Sequence, residues 1–246
     1  MKIIIKLLLG LVIFIGAVAY FAPASIAEKF LPSNISTAGL SGTLLNGNAQ
    51  NIVIDKVSIQ NTKWLSNPLS LLTGKVQADV SINSNNIKGE FETTYAGSSV
   101  YTKDIDLVGE LSLLSPYFER LGLTIHGQFD AKFDKLDIKN GIPNNADGIL
   151  NTSNTSILGL LPLNLGDVSS EFSPLENGFQ VYLNNQNGEL DLNGVINISS
   201  NGVYNADLTL TKNASTPDNV LQTIQLIGKK INEESVKLIH QGQLGI

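Results

Sequence analysis

The chain contains no cysteine, which excludes disulfides and thiolate metal sites and leaves both a periplasm and a cytosol open as its setting. Charge is sparse as well: 15% of residues are charged against 42% hydrophobic. Asn, Ser, Thr and Gly supply most of the polarity instead of Lys and Glu, a balance that favours strands and turns over long solvent-exposed helices. The 16 basic and 22 acidic residues leave a formal net charge of -6, with no basic cluster beyond the extreme N-terminus. That argues against nucleic acid as a partner, because replacing its condensed counterions takes a Lys/Arg-rich surface.

The residues of catalysis are equally scarce. Only two histidines occur, His126 and His240, neither with a neighbouring His or Cys, and His126 falls on the polar side of an alternating pattern. A metal centre needs more ligands converging, so both read as solvated surface groups. Asp55, Asp79, Asp104, Asp106, Asp130, Asp134 and Asp137 offer carboxylates of the kind glycosidases pair. Each instead occupies a polar strand position or a strand end, as a half-exposed antiparallel sheet requires. No nucleophile elbow, P-loop, dinucleotide fingerprint or H-E-x-x-H is present. The expectation is a protein without catalysis, metal or cofactor.

What is there begins with an apolar run. Lys2 and Lys6 precede Leu7 to Ala22, an uncharged stretch that includes Leu7, Leu11, Phe14, Ile15 and Val18. Its basic start predicts a cytoplasmic N-terminus, with everything beyond about Pro23 across the membrane. Ala17-Val18-Ala19 and Ser25-Ile26-Ala27 resemble cleavage sites, whereas the reach from Leu7 to Ala27 is about the 20 residues that cross a bilayer. Residues 1–27 therefore read as a transmembrane anchor or uncleaved signal, and residues 28–246 as one folded periplasmic unit.

Beyond the anchor the pattern is alternation with period two, the mark of strands with one buried and one wet face. Val76, Ala78, Val80 and Ile82 oppose Gln77, Asp79 and Ser81. Similar sets are Ile105, Leu107, Leu111 and Leu113; Leu123, Ile125, Phe129, Ala131 and Phe133; Phe179, Val181 and Leu183; Leu190, Leu192, Ile196 and Ile198; and Tyr204, Ala206, Leu208 and Leu210. Short Asn/Gly/Ser separators such as Ser84 to Asn86 make neighbours antiparallel, since parallel pairs need long crossovers. A phase change across Asp55-Lys56 suggests a bulge. Three short helices are signalled by a capping residue before proline, at Asn67-Pro68, Ser115-Pro116 and Thr216-Pro217, with Gly74 and Gly122 as stops. In the last, Val220, Leu221, Ile224, Ile227 and Ile231 line one face, which predicts packing on a sheet.

Two elements in order carry a family likeness. Gly42-Thr43-Leu44-Leu45-Asn46-Gly47 is similar to a Gly-Thr-Leu-Trp-x-Gly element, with Leu45 where Trp is usual. Trp64, Pro68, Leu71, Leu72 and Gly74 then match a tryptophan leading into Pro-x-x-Leu-Leu-x-Gly. Together with softer likenesses at residues 136–148, 160–168 and 217–245, the chain resembles the type II secretion protein N family. Read from the residues alone, Gly42 and Gly47 flank a tight element, and Trp64, the sole tryptophan, anchors the first hairpin to the core rather than meeting a partner.

The expected fold is mainly β: a curved antiparallel meander of roughly ten strands with short helices covering one face or plugging an end. The resemblance implies a periplasmic component of the type II secretion system, held in the inner membrane, contacting other secretion subunits and membrane lipid in a scaffolding role. The alternative, by likeness to the grooved sheets of AsmA-like envelope proteins, is a tethered lipid-binding or lipid-transfer protein with an apolar trough.

Overall fold

A computed structural model describes residues 21–244, apart from 32, 120, 121, 160 and 161. The expected membrane helix, with Leu7, Leu11, Phe14, Ile15 and Val18, lies outside the described residues, among which no helix is long and apolar enough to cross a membrane. The chain forms two compact units, residues 1–97 and 98–246. Both are mainly β and antiparallel, with few short helices.

In the first unit a 3-10 helix, Ala24–Phe30, precedes β1 (Ile35–Ala38), β2 (Ser41–Gly42), β3 (Asn46–Ile54), β4 (Val57–Ser66), helix α1 (Pro68–Leu71), β5 (Val76–Asn83) and β6 (Ile87–Ala96). The strands lie in the order β1, β3, β4, β5, β6, with β2 folded onto β3. Alternation in β5 is realised from Ala78 onward, with Ala78 and Ile82 buried and Asp79 and Ser81 exposed, whereas Val76 at its start is exposed. The bulge expected at Asp55-Lys56 is instead a two-residue hairpin turn, because Ile54 pairs with Val57. Asp55 takes the left-handed conformation, φ 52°, that such a tight reversal demands. The phase change thus marks a reversal between two strands and not an irregularity within one.

The second unit runs β7 (Ser99–Glu110), a 3-10 turn at Leu111–Leu114, α2 (Ser115–Phe118), β8 (Thr124–Lys139), β9 (Ile142–Leu158), β10 (Leu163–Leu175), β11 (Gly178–Gln186), β12 (Leu190–Ser199), β13 (Val203–Lys212), α3 (Asp218–Ile227), β14 (Lys229–Lys230) and β15 (Ser235–Gln243). From β7 to β13 each strand pairs with the next, β15 adds to β13, and β14 is outermost. Leu111 and Leu113, expected in a strand, sit in the 3-10 turn, where Leu111 is buried.

Of the three helix starts, only Asn67 caps as predicted: its Oδ1 accepts from the Leu69 N–H at 3.0 Å. The Ser115 hydroxyl turns instead to Ile125, donating to its carbonyl and accepting from its N–H. Thr216 is buried and donates to the Glu189 carbonyl while accepting from the Asn213 N–H. In both cases a bond to a neighbouring segment replaces the local cap. Ile231 falls beyond α3, which ends at Ile227 with Gly228 as its cap, and is 54% exposed.

The core of the second unit has two parts. Under α3, Val220 and Ile224 pack with Leu190, Leu192, Leu210 and Val236, which closes that stretch of sheet as the amphipathic pattern predicted. Further along the sheet, Ala146, Phe179 and Val181 form a second cluster with the half-buried Phe133, Phe172, Ile196 and Ile198. Gly148 on β9 stands opposite both Phe133 on β8 and Phe172 on β10. Without a side chain between them the two rings meet edge to face, centroids 4.9 Å apart.

Candidate interaction site at the Gly42 to Gly74 segment

The residues singled out by the sequence converge at one end of the first unit. Gly42 pairs with Gly47 and holds φ 82°, which lets the chain reverse through Thr43 to Asn46. Thr43 closes this reversal: its N–H donates to the Asn46 carbonyl at 2.8 Å and its hydroxyl accepts from the Asn46 N–H at 3.1 Å. Gly47 stands opposite Trp64, and a Cβ there would lie 2.4 Å from the indole Cζ2. The glycine is therefore the floor on which the ring rests. Trp64 is half-buried and donates from Nε1 to the Leu44 carbonyl at 3.0 Å, which satisfies its polar tip.

Leu45 is buried at 7% exposure, and its carbonyl accepts from the Ser66 N–H at 2.6 Å. One residue further, Asn67 caps α1 with Pro68 at the first helical position. Gly74 follows at φ 71°, and its N–H donates to the Leu71 carbonyl at 3.0 Å, the left-handed stop that glycine favours. Leu71 and Leu72 are not core residues: they are 39% and 69% exposed. The entering chain joins the same assembly, since Pro23 bridges to Thr43 and the Ala22 carbonyl accepts from the Leu44 N–H at 2.9 Å. Ala24 is buried at 1% exposure.

The candidates for chemistry stay apart. His126 is exposed, and His240 lies at the surface with its Nδ1 3.1 Å from the Tyr204 hydroxyl. Among the described residues no three His, Cys, Asp or Glu side chains gather as a metal site. Asp130 and Asp134 flank Lys132 along a depression of about 290 Å³ that also touches Gly148, Ile149 and Asn151. Lys132 Nζ stands 4.0 Å from Asp130 Oδ2, a pair open to solvent.

Asp137 departs from the solvated-face expectation, and the exposed Asp167 holds two other segments together. Asp137 is buried, with Oδ2 2.9 Å from Lys135 Nζ and Asn145 Nδ2 donating to it at 3.4 Å. The register of β8 on β9 shifts between Asp137 and Ile138. Asp167, not singled out in the sequence, accepts from the Asn154 N–H and from Asn187 Nδ2, both at 3.1 Å. These bonds, the backbone one foremost, hold its carboxyl below the ordinary value of 3.8. It pins two left-handed residues, Asn154 and Asn187, and so works as a clasp between β9 and the turn after β11.

Compared with known families, the chain matches the type II secretion system protein N family over residues 33–238. It belongs to the secretion protein N family. The match takes in strands of both compact units and includes every residue from Gly42 to Gly74. Secretion protein N membership assigns the chain a role in type II secretion. No curated protein matches it, and no solved structure does.

Proposed function

We propose that this chain is an inner-membrane-anchored periplasmic scaffold of the type II secretion system, which acts by contact with other secretion subunits and not by turnover. The observation that carries this reading is the family match across residues 33–238. Support for the setting comes from Lys2 and Lys6 ahead of the apolar run from Leu7 to Ala22, the arrangement of a segment with a cytoplasmic start. Co-purification of the full chain with secretion subunits from detergent-solubilised membranes tests it. Absence of any association, with secretion unchanged after deletion of the gene, would refute it.

A second reading, a lipid-binding trough, draws on the second unit. There Leu190 and Leu192 close onto α3, whereas Phe133, Leu136, Phe172, Ile196 and Ile198 remain only partly buried. Mass spectrometry of the purified chain distinguishes the two: co-purified phospholipid favours the trough, and its absence favours the scaffold.

A further inference from the structure

The two ends of the first unit differ in kind. One end carries the Asp55-Lys56 turn and the Ser84 to Asn86 turn, both polar. The other carries α1, the start of β5 and the finish of β6. There Leu69, Leu72, Val76 and Tyr95 are exposed by 70%, 69%, 45% and 53%. Helix α1 buries none of its residues, so packing within the unit does not account for leucines at these positions. Apolar side chains gathered in this way mark a contact surface.

The path of the chain indicates what covers them. The apolar run closes at Ala22, whose carbonyl accepts from the Leu44 N–H. Leu44 in turn accepts from Trp64 Nε1 and from the Ser66 hydroxyl, and Asn67 then caps α1. Two strand spacings, about 10 Å, separate the close of the apolar run from the residue before the cap. The end that shows its leucines is thus the end that holds Ala22, where the apolar run closes.

We propose that α1, with Leu72, Val76 and Tyr95, docks on the lipid surface from which residues 7–22 emerge, as an interfacial foot beside the anchor. This inference rests on the anchor reading given above. Tyr95 presents the apolar ring and polar tip that suit a headgroup boundary. Lys75, exposed between Leu72 and Val76, has an aliphatic stem that can lie along lipid while its ammonium stays in water. The occupant is the acyl and headgroup boundary of a bilayer, which apolar side chains enter to about 5–10 Å.

The absence of cysteine makes the test direct. Single reporters, L69C, L72C, V18C and N85C, are placed in the full chain, labelled with an environment-sensitive fluorophore and reconstituted in phosphatidylcholine vesicles. Asn85 is exposed and lies beyond the far end of the eight-residue β5, about 25 Å from Val76. Labels at 69 and 72 are expected to emit at shorter wavelength and to lose most of their emission to lipid-borne spin-label quenchers, as the label at 18 does, while the label at 85 does neither. Quenching at 18 with labels at 69 and 72 behaving like 85 overturns the docking and leaves the anchor standing. Loss of quenching at 18 as well overturns both. Labels at 69 and 72 shielded from aqueous iodide yet untouched by lipid quenchers would mean a protein cover, which also overturns the proposal. In L69D/L72D with the reporter at V76C, emission is expected to return to its value in water while far-UV circular dichroism is unchanged.

Discussion

Phe133 and Phe172 meet edge to face across Gly148, on strands that are not neighbours in the sheet. The contact exists because the position between them carries no side chain. A Cβ at Gly148 would stand 2.4 Å from the Lys132 carbonyl oxygen and 2.5 Å from Phe133 Cα, at a φ of 153°. Gly148→Ala is therefore expected to lower stability by about 2–3 kcal/mol through overpacking against backbone that cannot yield. Gly141, at φ 78° with nothing within 4 Å of its Cβ position, provides the contrast. Gly141→Ala is expected to cost only the conformational penalty of about 1–2 kcal/mol. Urea unfolding of the two variants separates the contributions.

Trp64 invites a graded test. Trp64→Phe keeps a ring over Gly47 but removes the Nε1 donor to the Leu44 carbonyl, a loss of about 1 kcal/mol. Trp64→Ala also removes the half-buried ring and is expected to cost about 2–3 kcal/mol, below the full core range because one side of the indole is wet. Chemical denaturation should rank the variants in that order. Equal losses would mean that the ring contributes nothing beyond its hydrogen bond.

Thr216 substitutes a tertiary bond for a cap. Its buried hydroxyl joins the Glu189 carbonyl to the Asn213 N–H, tying the entry of α3 to the start of β12. Thr216→Val retains the shape and leaves both backbone groups unpaired, at a cost of about 1–3 kcal/mol. Thr216→Ser is expected to restore most of it. Thermal unfolding of the three proteins checks the order.

Asp167 gives a pH dependence. Its folded-state carboxyl is held below 3.8 by the Asn154 N–H and then by Asn187, so the ionised form is favoured in the fold. The contribution is complete above the unfolded value and is lost as pH falls through the lower folded value. In an acid titration followed by NMR, the Asn154 amide proton is expected to follow the carboxyl with a midpoint below 3.8. In Asp167→Asn that acid step should vanish.

The periodicity of two made most strands legible, since residues such as Phe179, Val181, Leu190 and Leu192 fall on one face and are buried in the fold. The turn at Asp55-Lys56 was not legible, because it lacks the Asn-Gly or Asp-Gly pair that announces a two-residue hairpin. Leu111 and Leu113 continue the alternation of β7 without belonging to it. Pattern alone does not say where a strand gives way to a turn. All three helix starts were legible, but the side-chain cap forms only at Asn67, because at Ser115 and Thr216 distant carbonyls claim the hydroxyls. The motif from Gly42 to Gly74 was visible as residue types. That Gly47 serves Trp64, and that Leu69 and Leu72 face outward, depends on pairings between strands that the order of residues does not display.

Within each unit, nearly every strand finds its partner in the strand just before or just after it along the chain. Little of the sheet has to wait for distant parts of the polypeptide, so the entropy of closing long loops is small for a β protein. A thread delivered from one end can zip up strand by strand as it arrives. Two pairings reach past an intervening strand: β1 passes over β2 to β3, and β15, which reaches back past α3 and β14 to β13, must wait for the tail.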